Sequence, residues 1–192
     1  MSDQPDLFGV QPPCDDRLFL GVVPARPLGE RLAELADQWR TELNLTGRPF
    51  TPDRLHMSLY ALGDYPGVPR QLVDNVRQAG DALKLPPFEI TLDRVMSFYR
   101  RDRKRALVLR PSANIAALLE FHRLLGECMT GVGLGRWVSR HFTPHMTLLY
   151  DRRMIAERPV ARVQWRIDGF VLIHSLLRRH RYVRLGQWEL DG

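Results

Sequence analysis

Two tetrapeptides share one pattern: His56-Met57-Ser58-Leu59 and His145-Met146-Thr147-Leu148 each read imidazole, apolar, hydroxyl, apolar. Each lies in a short run of alternating or continuous apolar residues bounded by turn residues, as a strand does. Side chains alternate across a strand, so His56 shares a face with Ser58 and His145 with Thr147. Met57, Leu59, Met146 and Leu148 take the opposite face. One face is left for chemistry and the other for core. An imidazole titrates near ~6.5, so two in one site can serve as a neutral base and a protonated acid near pH 7. A lone His-x-Ser/Thr arises by chance, and a single histidine of this kind is more often just hydrogen-bonded at a sheet edge. The recurrence carries the weight.

The flanking sequence supplies the elements that must hold these strands. Arg17 to Pro24 reads as a strand buried on both faces. Pro27 to about Asn44 repeats apolar residues at helical spacing, and the turn-rich stretch Thr46 to Pro52 feeds the first histidine strand, Arg54 to Leu62. Val68 to Lys84 is a second helix, closed by Pro86-Pro87. Phe88 to Val95 and Ala106 to Leu109 pair most simply as a hairpin. Its basic run, Arg100, Arg101, Arg103, Lys104 and Arg105, is a solvated tip or an RNA-guiding patch. Ser112 or Asn114 is the expected cap of a third helix reaching about Thr130, and Gly131 to Gly135 forms a connector. Val163 to Ile173 is expected as one strand bent at Gly169, and Arg181 to Leu190 as the closing strand. The sum is an α+β fold with about three helices and seven or eight strands. Residues 1–15, with three prolines, are expected to be a flexible tail, and 16–192 a single domain.

The 192 residues, 44% hydrophobic and 26% charged, are ordinary for a globular protein. No apolar run approaches a membrane span, and the first residues lack the basic start and apolar stretch of a signal peptide. Cys14 and Cys128 do not form a disulfide framework. A cytoplasmic location is expected, as a monomer without a stable protein partner. The net charge of +6 and pI of about 9.9 come almost wholly from arginine, which suits phosphate recognition but also follows from codon bias. No carboxylate cluster accompanies either histidine, so no metal and no cofactor are expected. Of the other histidines, His141 and His122 read as loop and helix-face residues, and His174 and His180 as flanks of a solvated turn. Phe19, Phe50, Tyr60, Phe142 and Tyr150 lie near the cleft-lining strands, where one or two could stack on a base.

These features resemble the two-histidine phosphoesterase superfamily, within it the bacterial RNA 2′,3′-cyclic phosphodiesterases, also named 2′-5′ RNA ligases. The resemblance runs from about residue 16 and rests on Leu55 to Leu59 with Leu62-Gly63, Leu92 to Phe98, Phe142 to Leu149, and Tyr182 to Leu190 with Leu172 and Ser175. It implies a bilobal fold, two antiparallel sheets facing a central cleft with helices outside. It also implies hydrolysis of RNA 2′,3′-cyclic phosphate ends to 2′-phosphate, with reverse 2′-5′ ligation, without metal. By resemblance His56 is the proton donor and His145 the proton acceptor, an order that the residues alone leave open. Ser58 and Thr147 would bind the phosphate. Tyr150 stands where the family commonly has arginine, so Arg140, Arg152, Tyr150 and Phe142 are the candidate substrate contacts. Expected ligands are RNA ends or small cyclic-phosphate nucleotides. Alternatives are a phosphodiesterase for small cyclic nucleotides or cyclic ADP-ribose phosphate, and a nonenzymatic RNA-binding protein.

Overall fold

A computed structural model describes residues 13–99 and 104–191. Eight strands occur in it: β1 Asp16–Val22, β2 Met57–Tyr65, β3 Phe88–Phe98, β4 Arg105–Arg110, β5 Met146–Asp151, β6 Arg158–Ile167, β7 Gly169–Leu176 and β8 Arg181–Glu189. Three helices join them: α1 Arg26–Glu42, α2 Arg70–Ala82 and α3 Ala116–Gly131. The strands form one sheet in the order β6-β3-β4-β5-β2-β1-β7-β8. All pairings are antiparallel. At its centre β2 and β5 share one pair, Met57 with Met146. The two expected lobes are therefore four-stranded halves hinged on the residues that follow the histidines.

Each half is built around a matching strand-helix-strand unit, β1-α1-β2 in one and β4-α3-β5 in the other. The chain completes β1 and β2, builds the whole second half from β3 to β6, and returns for β7 and β8. Phe88 and Ile167, at the ends of that excursion, are paired neighbours. Amphipathic spacing explains the packing. Leu32, Ala36 and Trp39 of α1, Leu72, Val76 and Ala79 of α2, and Leu118, Phe121, Leu125 and Met129 of α3 enter one core with Leu18, Leu20, Met57, Leu107 and Met146. Met57 and Met146 are fully buried, each side chain contributing about 1.5–3 kcal/mol. The helices cover the methionine face. The opposite face is left to the histidines, with a small second cluster of Phe19, Val171 and Ile173 beside it. No helix among the described residues is long and apolar enough to cross a membrane.

Several boundaries differ from the sequence reading. The first histidine strand starts at Met57 and runs on through Gly63 to Tyr65, because β1 continues to pair with it. Pro52–Arg54 instead form a short 3₁₀ turn. Ser112 does not cap α3; its amide and hydroxyl donate to the Asp93 carboxylate at 2.9 and 2.7 Å, and Asn114 takes a left-handed conformation. The expected strand Val163 to Ile173 is two strands, β6 and β7, on opposite halves. The break falls at Asp168, whose carbonyl accepts from the Leu190 amide at 2.8 Å, and a Cβ on Gly169 would meet the Trp188 carbonyl at 2.5 Å. Of the expected tail, residues 1–12 lie outside the described residues, whereas Asp15 accepts from the Leu177 amide at 2.9 Å. Arg100, Arg101 and Arg103 of the basic run also lie outside them.

Candidate active site

His56 and His145 precede the bridging methionines, and their rings are held alike. Nδ1 of His56 donates to the Arg54 carbonyl at 2.8 Å, and Nδ1 of His145 to the Thr143 carbonyl at 2.7 Å. A carbonyl accepts only from a protonated nitrogen, so Nδ1 carries hydrogen in both, and Nε2 is left for substrate, with a lone pair or a second proton. An aromatic ring supports each imidazole, Phe19 at 4.7 Å from His56 and Phe98 at 4.8 Å from His145. Burial pushes both imidazoles below their ordinary value, and the backbone carbonyls only partly offset it. The charges of His145 and Arg54 lower His56 further, so the two rings are close enough to sense each other. Arg110 acts in the same direction on His145.

Ser58 and Thr147 line the same cleft of about 680 Å³ as both histidines. Beyond them the strands break their alternation in matching ways. The pairing of β1 with β2 passes over Leu59, and that of β4 with β5 passes over Leu148, each three residues after its histidine. Such a bulge shifts the phase by one residue. Leu59 and Tyr60 are therefore both buried, as are Leu148 and Leu149, and Ala61 and Tyr150 turn to the cleft. Simple alternation from His145 would have put Leu149 there.

The strap from Thr46 to Phe50 closes the wedge where β2 leaves β5. The Asp151 carboxylate accepts from the amides of Thr46 and Gly47, both at 2.7 Å, from the Thr46 hydroxyl at 3.2 Å, and from the Arg153 amide at 2.8 Å. Burial alone would raise this carboxyl, but those donors together hold it below its ordinary value. The Phe50 amide donates to the Leu148 carbonyl at 2.7 Å, and Gly47 packs so closely that an added Cβ would sit 2.0 Å from the Tyr150 carbonyl oxygen. Phe50 is thereby set edge-on to Tyr150 at 5.7 Å. Arg54 lies 4.5 Å over the Phe50 ring and 5.3 Å from that of Tyr182, which stands 5.5 Å from His56. Arg17, the second arginine of the cleft, is held by Asp64 in a two-point pair at 2.7 and 2.8 Å.

Of the candidate substrate contacts, Tyr150 alone lines the cleft. Phe142 and Arg140 line a separate cavity of about 540 Å³ with no lining residue in common with it. Phe142 is drawn there by stacking on His122 at 4.2 Å, and Tyr60 covers the other side of that imidazole, also at 4.2 Å. Burial pushes the Tyr60 hydroxyl up to about 12, and it donates to the His122 carbonyl at 2.7 Å. Arg152 falls past the end of β5, where its carbonyl accepts from Arg105. His174, expected beside a solvated turn, is buried on β7 and 2.6 Å from an Asp16 oxygen. Arg54 stands two before His56, but it ends the 3₁₀ turn Pro52–Arg54 rather than lying on the strand, so strand alternation did not place it in the cleft. Tyr182, Arg17 and Ser175 come from β8, β1 and β7, and only strand pairing brings them in.

Two hinged half-sheets, each offering a His-x-Ser/Thr strand to one cleft, define a two-histidine phosphoesterase. Residues 24–178 match the family model of the 2′-5′ RNA ligase superfamily, and the chain belongs to that superfamily of phosphoesterases and RNA ligases. No curated protein sequence matches it significantly. Among solved structures, Escherichia coli LigT in apo form is 26% identical, with a TM-score of 0.69 over 92% of this chain and 98% of that one. The same protein complexed with NADP+ is also 26% identical, with a TM-score of 0.67 over 93% and 99%. TT0787 of Thermus thermophilus, 21% identical, shares the fold with a TM-score of 0.71 over 92% and 98%.

Proposed function

We propose that this protein hydrolyses RNA 2′,3′-cyclic phosphate ends to 2′-phosphate by metal-independent general acid–base catalysis. The observation that carries the reading is the matched pair of imidazoles, each tied through Nδ1 to a carbonyl two residues back, in one cleft. Water attacks phosphorus while Nε2 of His145 takes its proton, and Nε2 of His56 protonates the departing ribose 3′ oxygen as the P–O bond breaks. Ser58 and Thr147 donate to the non-bridging oxygens. Superfamily membership supports RNA as the substrate class and the 2′-phosphate as product, and the NADP+ complex of LigT supports a nucleotide ligand. With a 5′-hydroxyl in place of water the same groups would serve ligation: His145 takes the hydroxyl proton as its oxygen attacks phosphorus, and His56 protonates the departing ribose 3′ oxygen, leaving a 2′-5′ phosphodiester. The test is hydrolysis of an oligoribonucleotide ending in a 2′,3′-cyclic phosphate, with EDTA present. Turnover to a 2′-phosphate end, lost in His56→Ala and His145→Ala, is expected; no turnover by wild type, or chelator-sensitive turnover, would overturn the reading.

A further inference from the structure

The cleft is lined by two arginines, and they are held in opposite ways. Arg17 spends its guanidinium on Asp64 through two short hydrogen bonds, so its charge is neutralised where it stands. Arg54 makes no ion pair among the described residues. It is fixed instead by aromatic faces, Phe50 at 4.5 Å and Tyr182 at 5.3 Å, and its buried Nε has no hydrogen-bond partner. Aromatic faces attract a cation without consuming its N–H donors, and they hold the planar group in one orientation. Its backbone carbonyl also receives the His56 Nδ1 proton, and Leu55 between them is buried, so both side chains emerge on the cleft face.

We infer that Arg54 is the anion-binding residue of this cleft, gripping an oxygen of a substrate phosphate with the N–H donors that its aromatic clamp leaves uncommitted. This rests on the nucleotide-phosphate reading above. A fixed guanidinium at this place would orient the phosphate against His56 and offset its negative charge. The same charge lowers the His56 imidazole, joined there by that of His145, so an anion arriving at Arg54 would let His56 hold its proton more firmly. Binding and proton donation would then be linked through one side chain.

The experiment compares wild type, Arg54→Met and Arg54→Lys in two measurements. The first is equilibrium binding of a nucleoside 2′-monophosphate and of inorganic phosphate, which needs no turnover. Arg54→Met is expected to bind both about ten- to a hundred-fold more weakly, the loss of one charge-assisted hydrogen-bonded contact, with partial recovery in Arg54→Lys. The second is the pH profile of hydrolysis on a mononucleotide 2′,3′-cyclic phosphate and on a dinucleotide carrying one further phosphodiester. The limb set by His56 should move to higher pH in Arg54→Met and stay in place in Arg54→Lys, which a purely structural role would not produce. Equal losses on both substrates identify the reacting phosphate as the partner, and a loss confined to the dinucleotide identifies the neighbouring one. Wild-type phosphate affinity in a folded Arg54→Met that still follows wild-type hydrolysis would overturn the inference and leave the function standing. A wild type that neither binds phosphate nor turns over would overturn both.

Discussion

Gly47→Ala tests whether the strap sets the site. The new Cβ would start 2.0 Å from the Tyr150 carbonyl oxygen, and a backbone contact under 3.0 Å is essentially never tolerated. The strap must therefore retreat from β5 by about 1 Å, which stretches the two 2.7 Å bonds from Thr46 and Gly47 to Asp151. A hydrogen bond to a charged acceptor is worth about 1.5–3 kcal/mol, and at about 2–4 °C per kcal/mol the loss of one lowers Tm by about 3–12 °C. The same retreat carries Phe50, and with it the face on which Arg54 rests. A displacement of about 1 Å in a positioning group costs about 10²-fold, so kcat/KM on the cyclic-phosphate oligonucleotide should fall by about that much. Thermal unfolding and steady-state hydrolysis read the two effects, with Gly131→Ala as control, since its Cβ meets nothing within 4 Å. Wild-type Tm and kcat/KM in Gly47→Ala would refute the reasoning.

His56→Ala and His145→Ala should each lose about 10²- to 10⁴-fold in kcat with the fold retained by circular dichroism, and the double variant should lose much less than the product of the two. The kcat/KM profile should be a bell centred below pH ~6.5, because burial lowers both imidazoles and the donor must still be protonated in the free enzyme. The kcat profile should lie to its alkaline side, since bound phosphate favours imidazolium; a free-enzyme bell centred above neutrality would contradict the burial argument. Stability should follow the same groups. His56, His122 and His145 all bind protons less readily folded than unfolded, so nothing is lost above the unfolded value of ~6.5 and stability falls as pH drops through and below it. Tm at pH 5.5 should therefore be lower than at pH 7.5, and an equal or higher value would count against it.

The histidine pair was legible because two local rules, strand alternation and repetition, both pointed at it. Helix positions followed from apolar spacing, as at Leu32, Ala36 and Trp39 or Leu118, Phe121 and Leu125. What depends on pairing was hidden. Nothing in the composition of Leu148-Leu149-Tyr150 announces a bulge, so the cleft-facing place of Tyr150 could not follow from alternation. The crossing between halves at Asp168 was masked by apolar alternation that continues on both sides of it. Arg140 and Arg152 were near His145 in sequence, but one serves another cavity and the other lies beyond the strand end, whereas Arg54, Arg17 and Tyr182 reach the cleft.

Outward from the Met57–Met146 pair, the two halves offer the same succession: a histidine tied to its own backbone, a hydroxyl, a bulge, then a residue turned to the cleft. A half-turn about that pair would nearly exchange them. The backbone is thus impartial about the polarity of the reaction, and cannot by itself say which oxygen of a cyclic diester departs. That choice belongs to the unlike walls: Arg54 with Tyr182 and Phe19 beside His56, and Phe98 with an Arg110 shared by Glu157 beside His145. Regioselectivity in this architecture is consequently an attribute of side chains outside the repeated motif, free to be rewritten while both histidines stay where they are.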